Sequence, residues 1–367
     1  MTEPPVINRL DEWRLLLALV ATAIVAAVVP VPSSTVERFY SAGFYQAIQP
    51  ALTSLSNRFQ FPLFDAALVA LVAAWAALAA HDFAGRQKAS DVARRLVIRT
   101  ATWAAAGYLI FLVVWGLNYR RLRLIETLPF DTSRMTDESV EQAMTTAARR
   151  LNTLYQPRRR DGEQPAGPID PTLTGAMQQA LTDIGRTHRL VPGRPKRTIL
   201  DPYFRRAGVD GMTDPFFLET LIATDVLPFE RPQVIAHEWA HLAGINDEGE
   251  ANFVGWLACL RASPAAQYSG WLFIFRELAQ SVSGDARKLI TASLGPGPRA
   301  DLRAINDRIL RNVNPRVSAV GWSVYDSYLK ANRVEAGAAS YGEVVRLVVG
   351  TRLASGWDPL APTRLEP

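Results

Sequence analysis

Along the first 119 positions the apolar residues gather into three long blocks; beyond them, mixed-polarity helical patterns alternate with Pro- and Gly-rich punctuation. The blocks are WRLLLALVATAIVAAVVPVP (13–32), FPLFDAALVALVAAWAALAA (61–80, with Asp65 at its edge) and TATWAAAGYLIFLVVWGLNY (100–119, without a charge). Roughly 20 apolar residues cross the hydrocarbon core of a bilayer as a helix, so each block predicts a transmembrane helix and residues 1–119 a membrane domain. Trp13, Trp115 and Tyr119 stand near block ends, where interfacial aromatics belong. The first block does not read as a cleaved signal peptide: Glu3, Asp11 and Glu12 sit in its n-region, and VVPVPSS lacks small residues at a cleavage position. The stretch between the first two blocks, SSTVERFYSAGFYQAIQPALTSLSNRFQ, is apolar on a roughly helical period. It suits a helix lying on the membrane or packed against the rest of the chain.

From 120 to 367 the pattern predicts a mostly helical soluble domain with a small sheet. Thr136 is placed to cap a helix to Tyr155, with acids in its first turn. QPRRRDGEQPAGPIDP (156–171) reads as a solvated, mobile loop. Asp170–His188 reads as a helix, Arg197–Leu200 as a short β-like run, and Phe216–Ile222 (FFLETLI) as a strand with Glu219 facing water. A helix containing HEWAH follows, then one from about 249 to 261, then several more.

Charge sets the expected orientation. The segment between the second and third blocks holds Arg86, Lys88, Arg94, Arg95 and Arg99, whereas the preceding loop has only Arg38 and Arg58. Positive charge stays in the cytoplasm, so the soluble domain is expected outside a cytoplasmic (inner) membrane that the chain crosses several times. Arg120, Arg121 and Arg123, just after the third block, argue the other way. The net charge of +5 is scattered, which argues against nucleic acid as a partner and leaves the lipid bilayer as the expected one. Cys259 is the only cysteine, so no disulfide forms within the chain.

The chemistry concentrates in QVIAHEWAHLAGINDEGEANFVGWLAC. His237 and His241 are four apart, on one helix face, so both imidazoles reach one metal ion. Glu238 points about 100° away around the axis and can address a water rather than the metal. Pro232 suits the first turn of that helix, and Gly244 its C-terminal stop. His81 and His188 have no ligand-spaced partners. A catalytic zinc site needs a third protein ligand, for which Asp247, Glu248 and Glu250 compete. HExxHxxGxxD spacing favours Asp247; an ExxAN element favours Glu248, with Asn252 on the same face bracing a ligand histidine. Glu250 lies about 200° from Glu248 on an ideal helix. Tyr325, Tyr328 and Tyr341 are candidates for stabilising an oxyanion.

HEWAH followed by EGEAN resembles the gluzincin-type metallopeptidases. That resemblance implies His237, His241 and Glu248 as Zn²⁺ ligands, Glu238 as general base, Asn252 as support, and a zincin-like domain. The wider chain resembles an uncharacterised bacterial membrane family, a domain of unknown function. Its members share three N-terminal spans ending in WGLNY (115–119), HExxH with a downstream ExEAN, and YDSYLKAN with SYG (325–332 and 340–342). The expected function is a membrane-anchored zinc metallopeptidase hydrolysing peptide or protein substrates, with FFLETLI pairing an extended peptide along its edge. The alternatives are a non-hydrolytic zinc-binding membrane sensor or assembly factor, and a structural membrane protein with a fortuitous motif.

Overall fold

The computed structural model describes residues 9–85, 88–161, 169–332, 343–353 and 355–361. Among them the chain is mainly helical, with one small three-stranded sheet.

Helices Leu63–Ala84 and Ala89–Val114 are each long and apolar enough to cross a membrane. Trp13–Val28 and Ser33–Ser56 meet that test only jointly, across a bend of 107°, so the described residues hold two such helices, or three with the bent pair. Val69, Val72, Ile110 and Val113 are open to the surroundings. Such surface costs about 25 cal/mol per Å² in water and nothing in lipid. The helix of the third block starts at Ala89, ahead of the expected 100, because nothing in SDVARRLVIR breaks a helix. Arg95 and Arg99 thereby reach Asp82 on the neighbouring helix, at 3.3 and 2.8 Å. Arg86 lies outside the described residues. WGLNY leaves the helix: Gly116–Arg120 is a 3₁₀ turn, and a side chain at Gly116 would collide with the Phe111 ring.

The stretch after the first block packs against the body of the chain. Tyr40, Tyr45, Gln49 and Thr53 are buried. Gln49 Nε2 donates to the Val191 carbonyl at 2.7 Å, and Thr53 Oγ1 to that of Leu218 at 3.0 Å. Its opposite side leaves Phe39 and Phe44 exposed.

Strands β1 (Pro195–Lys196), β2 (Gly211–Thr213) and β3 (Thr220–Ile222) lie in the order β1-β3-β2. β3 runs parallel to β1 and antiparallel to β2. Two expectations change here. Only Thr220–Ile222 of FFLETLI pairs, and both of its edges are occupied, so β3 offers no edge to a peptide; the outer strand beside the histidine helix is β2. Glu219 is fully buried rather than solvated. Lys196 Nζ lies 2.6 Å from its carboxylate, which also accepts from the main-chain N–H groups of Leu63 and Phe64 at 3.0 and 2.9 Å. It thus satisfies orphan donors at the start of an apolar helix.

The expected loop at 156–171 is also shorter. Helix Asp137–Asp161 continues through Pro157, because Arg158 is held inside by Asp301 at 2.6 Å and by the Tyr268 ring 4.4 Å from its guanidinium carbon. Residues 162–168 lie outside the described set.

Candidate metal centre

Helix Arg231–Leu242 carries HEWAH and places Pro232 in its first turn, where the missing N–H is not needed. Gly244, at φ +76°, ends it in the left-handed conformation. The last carbonyls of such a helix have no intrahelical partner, and here the N-terminal part of the chain supplies donors. Tyr45 Oη donates to Leu242 O at 2.9 Å, Trp115 Nε1 to His241 O at 3.3 Å, and Arg121 Nη1 to Gly244 O at 2.7 Å. WGLNY therefore anchors the end of the histidine helix. A Cβ on Gly244 would lie 2.9 Å from Asn118 Oδ1 and 3.2 Å from Arg121 Nη1. Gly244→Ala is expected to cost about 1–3 kcal/mol from strain at positive φ, read as a fall in unfolding temperature; an unchanged temperature would contradict this role for the turn.

After the turn, Asp247 caps helix Glu248–Leu260 by accepting from Glu250 N at 3.1 Å. Gly255 lets this helix approach the histidine helix closely: a Cβ there would stand 2.9 Å from His237 N. Glu248 is consequently delivered to the two imidazoles. His237 Nε2 and His241 Nε2 are 3.1 Å apart, and Glu248 Oε2 lies 3.2 and 3.5 Å from them. These three are the described His, Cys, Asp and Glu residues whose donor atoms cluster closely enough to share a metal ion.

The triangle can be tested against zinc. Ligands about 2.0–2.1 Å from a tetrahedral ion stand about 3.3 Å from each other, the size of the observed triangle. The chemistry fits as well: two imidazole nitrogens and one carboxylate oxygen are zinc donors. His241 Nδ1 lies 2.8 Å from the Ile245 carbonyl. As a donor there, it leaves the Nε2 lone pair of the neutral ring facing Glu248.

Electrostatics agree with a cationic occupant. Burial alone would raise the Glu248 pKa, but the charge and hydrogen bonds of His241 and His237 hold it well below the usual carboxylate range. Burial would depress His241, yet the Glu248 charge and hydrogen bond push it up to about 9. Protons and a metal ion compete for the same donors.

Glu238 is buried beside this cluster, and burial raises its pKa despite the nearby imidazoles. Its carboxylate accepts from Thr213 Oγ1 of β2 at 2.9 Å. Gly211, on the same strand, makes room: a Cβ there would come within 2.6 Å of Glu238 Oε1. Neither residue carries a motif by which the sequence alone would have singled it out.

The rival acids are engaged elsewhere. Besides its capping bond, Asp247 lies 3.8 Å from Arg123. Glu250 accepts from Leu124 N at 2.6 Å, and burial followed by the Asp247 charge pushes its pKa up to about 8. Asn252 is buried one turn beyond Glu248, but among the described residues no hydrogen bond joins its side chain to either histidine. Its main-chain carbonyl accepts from Gln233 at 3.5 Å, and the Nδ1 of His237 is buried without a partner. Of the tyrosines, Tyr325 donates to Glu248 Oε1. Tyr328 packs against Phe111, Tyr119 and Tyr325 instead, and Tyr341 lies outside the described residues.

Apolar helices joined to a mainly helical body with a buried His–His–Glu cluster define the class of this chain. A family model described as a protein of unknown function (DUF3810) matches residues 40–349, and the chain belongs to that family. No curated protein and no solved structure matches it.

Proposed function

We propose that the chain is a membrane-anchored, zinc-dependent metallopeptidase with a zincin-like domain on the outer side of a cytoplasmic membrane. The observation that carries this reading is the donor triangle of His237, His241 and Glu248, sized for one tetrahedral ion, with Glu238 beside it on the same helix. Helices long and apolar enough to cross a membrane support the anchoring; Lys88, Arg94, Arg95 and Arg99 at the start of Ala89–Val114 support the orientation, against Arg120, Arg121 and Arg123 beyond its end.

His237, His241 and Glu248 would hold the zinc, which when bound supplies Lewis acidity toward a peptide carbonyl and makes a water more acidic. Glu238 accepts the proton of the attacking water as its oxygen bonds to the carbonyl carbon. It then returns a proton to the amine nitrogen as the C–N bond breaks. Burial raises its pKa, the direction that makes a carboxylate a better proton acceptor. Thr213 keeps the carboxylate oriented. Tyr325 reaches the site through Glu248, and its hydroxyl would serve a developing oxyanion by turning from that carboxylate. β2, the outer strand beside Glu238, replaces FFLETLI as the edge for an extended substrate.

The close packing of the whole cluster favours a second reading, a zinc site that holds the fold or relays a signal without hydrolysis. Glu238→Gln separates the two. Full-length wild type and variant, in detergent, would be incubated with a proteome-derived peptide mixture and new termini scored by mass spectrometry. Expected is loss of cleavage by about 10²–10⁴-fold with zinc content unchanged; equal cleavage by both would sink the peptidase reading.

A further inference from the structure

Tyr325 belongs to helix Pro315–Ala331, and the opposite side of that helix is open. Val320 and Val324 are 66% and 65% exposed, whereas Trp322 lies toward Tyr325, with ring centroids 6.1 Å apart. Between Arg316 and Asp326 the helix carries no charge at all. Uncharged residues in the middle, with Arg316 and Lys330 toward the two ends, are the pattern of a helix lying in a membrane interface: apolar side chains sink, and long basic ones reach back to water.

Its position agrees with that pattern. Tyr328, from the same helix, packs on Phe111 with ring centroids 6.0 Å apart. Phe111 is in the last turn of Ala89–Val114, one of the two helices long enough to cross a membrane. On its other flank Gly321 meets Tyr203, whose hydroxyl would stand 3.0 Å from a Cβ at that glycine. Tyr203 follows closely on Ile199, and Ile199 N donates to Asp65 at 2.9 Å. Asp65 is in the first turn of Leu63–Ala84, the other long apolar helix. Ile199 and Tyr203 are themselves 56% and 47% exposed. Helix Pro315–Ala331 is thus connected on both sides to helix ends that meet the same face of the bilayer, with Ile199 and Tyr203 exposed along one of those connections.

We propose that helix Pro315–Ala331, with Ile199 and Tyr203, lies in the bilayer surface. The occupant of the exposed face is lipid rather than a second protein, because the helix is tied to the ends of two helices whose own open apolar surfaces suit lipid. Resting on the peptidase reading, this also narrows the substrate class. A metal site contacted through Tyr325 by a helix that lies on the membrane receives peptide segments at the membrane surface, such as the stretch of a membrane protein that emerges from the lipid.

The test uses the full chain in nanodiscs of phosphatidylcholine and phosphatidylglycerol. Cys259 is fully buried, so a cysteine introduced at the surface takes a spin label cleanly. Val320→Cys and Val324→Cys are compared with Val72→Cys, open on the helix Leu63–Ala84. The aqueous reference is Leu289→Cys, a position 72% exposed on helix Gly284–Ala292, which packs on Asp137–Asp161. Expected is a ratio of oxygen to nickel-chelate accessibility severalfold higher at 320 and 324 than at 289, approaching that at 72. A ratio equal to that at 289 overturns the inference. So does shielding from both reagents, which would mean a protein partner on this face. Water-like values at 72 would overturn the membrane reading itself. None of these readouts depends on hydrolysis, so failure here and failure of the peptidase reading are separate results.

Discussion

Glu248→Gln is expected to weaken zinc binding by at least about a hundredfold, while Asp247→Asn and Glu250→Gln retain it. The geometry makes the difference. Glu248 Oε2 is within 3.5 Å of both imidazole nitrogens and is held ionised by them; an amide there offers zinc no anionic oxygen. Asp247 spends its carboxylate on the N–H of Glu250, and an Asn caps a helix equally well. Glu250 is turned toward Leu124 N, which a Gln carbonyl can also satisfy. Competition against a chromogenic chelator, using full-length protein in detergent, reads all three constants. Zinc lost equally in the Asp247 or Glu250 variant would put the third ligand elsewhere. His241→Ala should behave as Glu248→Gln does, and worse for stability, because its ring also bridges to Ile245.

The second large effect is expected far from the proposed zinc ligands. Glu219→Ala should destabilise the chain by about 3–5 kcal/mol, enough to abolish folding in many proteins. The substitution leaves the Lys196 ammonium without its carboxylate in a fully buried setting. It also strips the acceptor from Leu63 N and Phe64 N at the start of an apolar helix. Breaking a buried pair costs more than the pair contributes, because the remaining charge stays desolvated. The double variant Lys196→Met with Glu219→Gln removes the charge and keeps an acceptor for the two N–H groups, and should recover most of the loss. Thermal unfolding of both variants in nanodiscs decides it. A Glu219→Ala protein as stable as the wild type would mean that water reaches this pair.

That pair also shows where the sequence stops being informative. Alternation along FFLETLI placed Glu219 toward water, which holds for a sheet with one wet face. Here the apolar helix Leu63–Ala84 begins against the strand, and a contact across 155 or more positions leaves no trace in local periodicity. Hydropathy located the long apolar helices, but it marks the uninterrupted apolar stretch rather than the helix ends. Ala89–Val114 therefore starts within the basic segment. Pro and charge at 156–161 read as a loop, whereas Arg158 is buried against Asp301 and Tyr268, a partnership only the tertiary structure reveals.

The candidate metal centre was legible to a definite point. His237, Glu238 and His241 follow from helical spacing alone, since four residues bring two side chains onto one face. The choice among Asp247, Glu248 and Glu250 does not, because it turns on where the second helix begins. Its first residue is Glu248, with Asp247 just outside as cap, and Gly244 and Gly255 set how closely the two helices meet. Thr213, Gly211, Trp115 and Arg121 support the site without a recognisable spacing, since each acts through a fold contact.

The most direct measurement is the zinc K-edge X-ray absorption spectrum of the purified full-length chain, loaded with one equivalent of zinc. Expected is a shell of nitrogen and oxygen at about 2.0–2.1 Å carrying the outer-shell signature of two imidazoles. That signature should fall to one imidazole in His237→Ala and keep both in Glu238→Gln. A sulfur shell at about 2.3 Å, or a spectrum without imidazole, would contradict a zinc centre built from His237, His241 and Glu248.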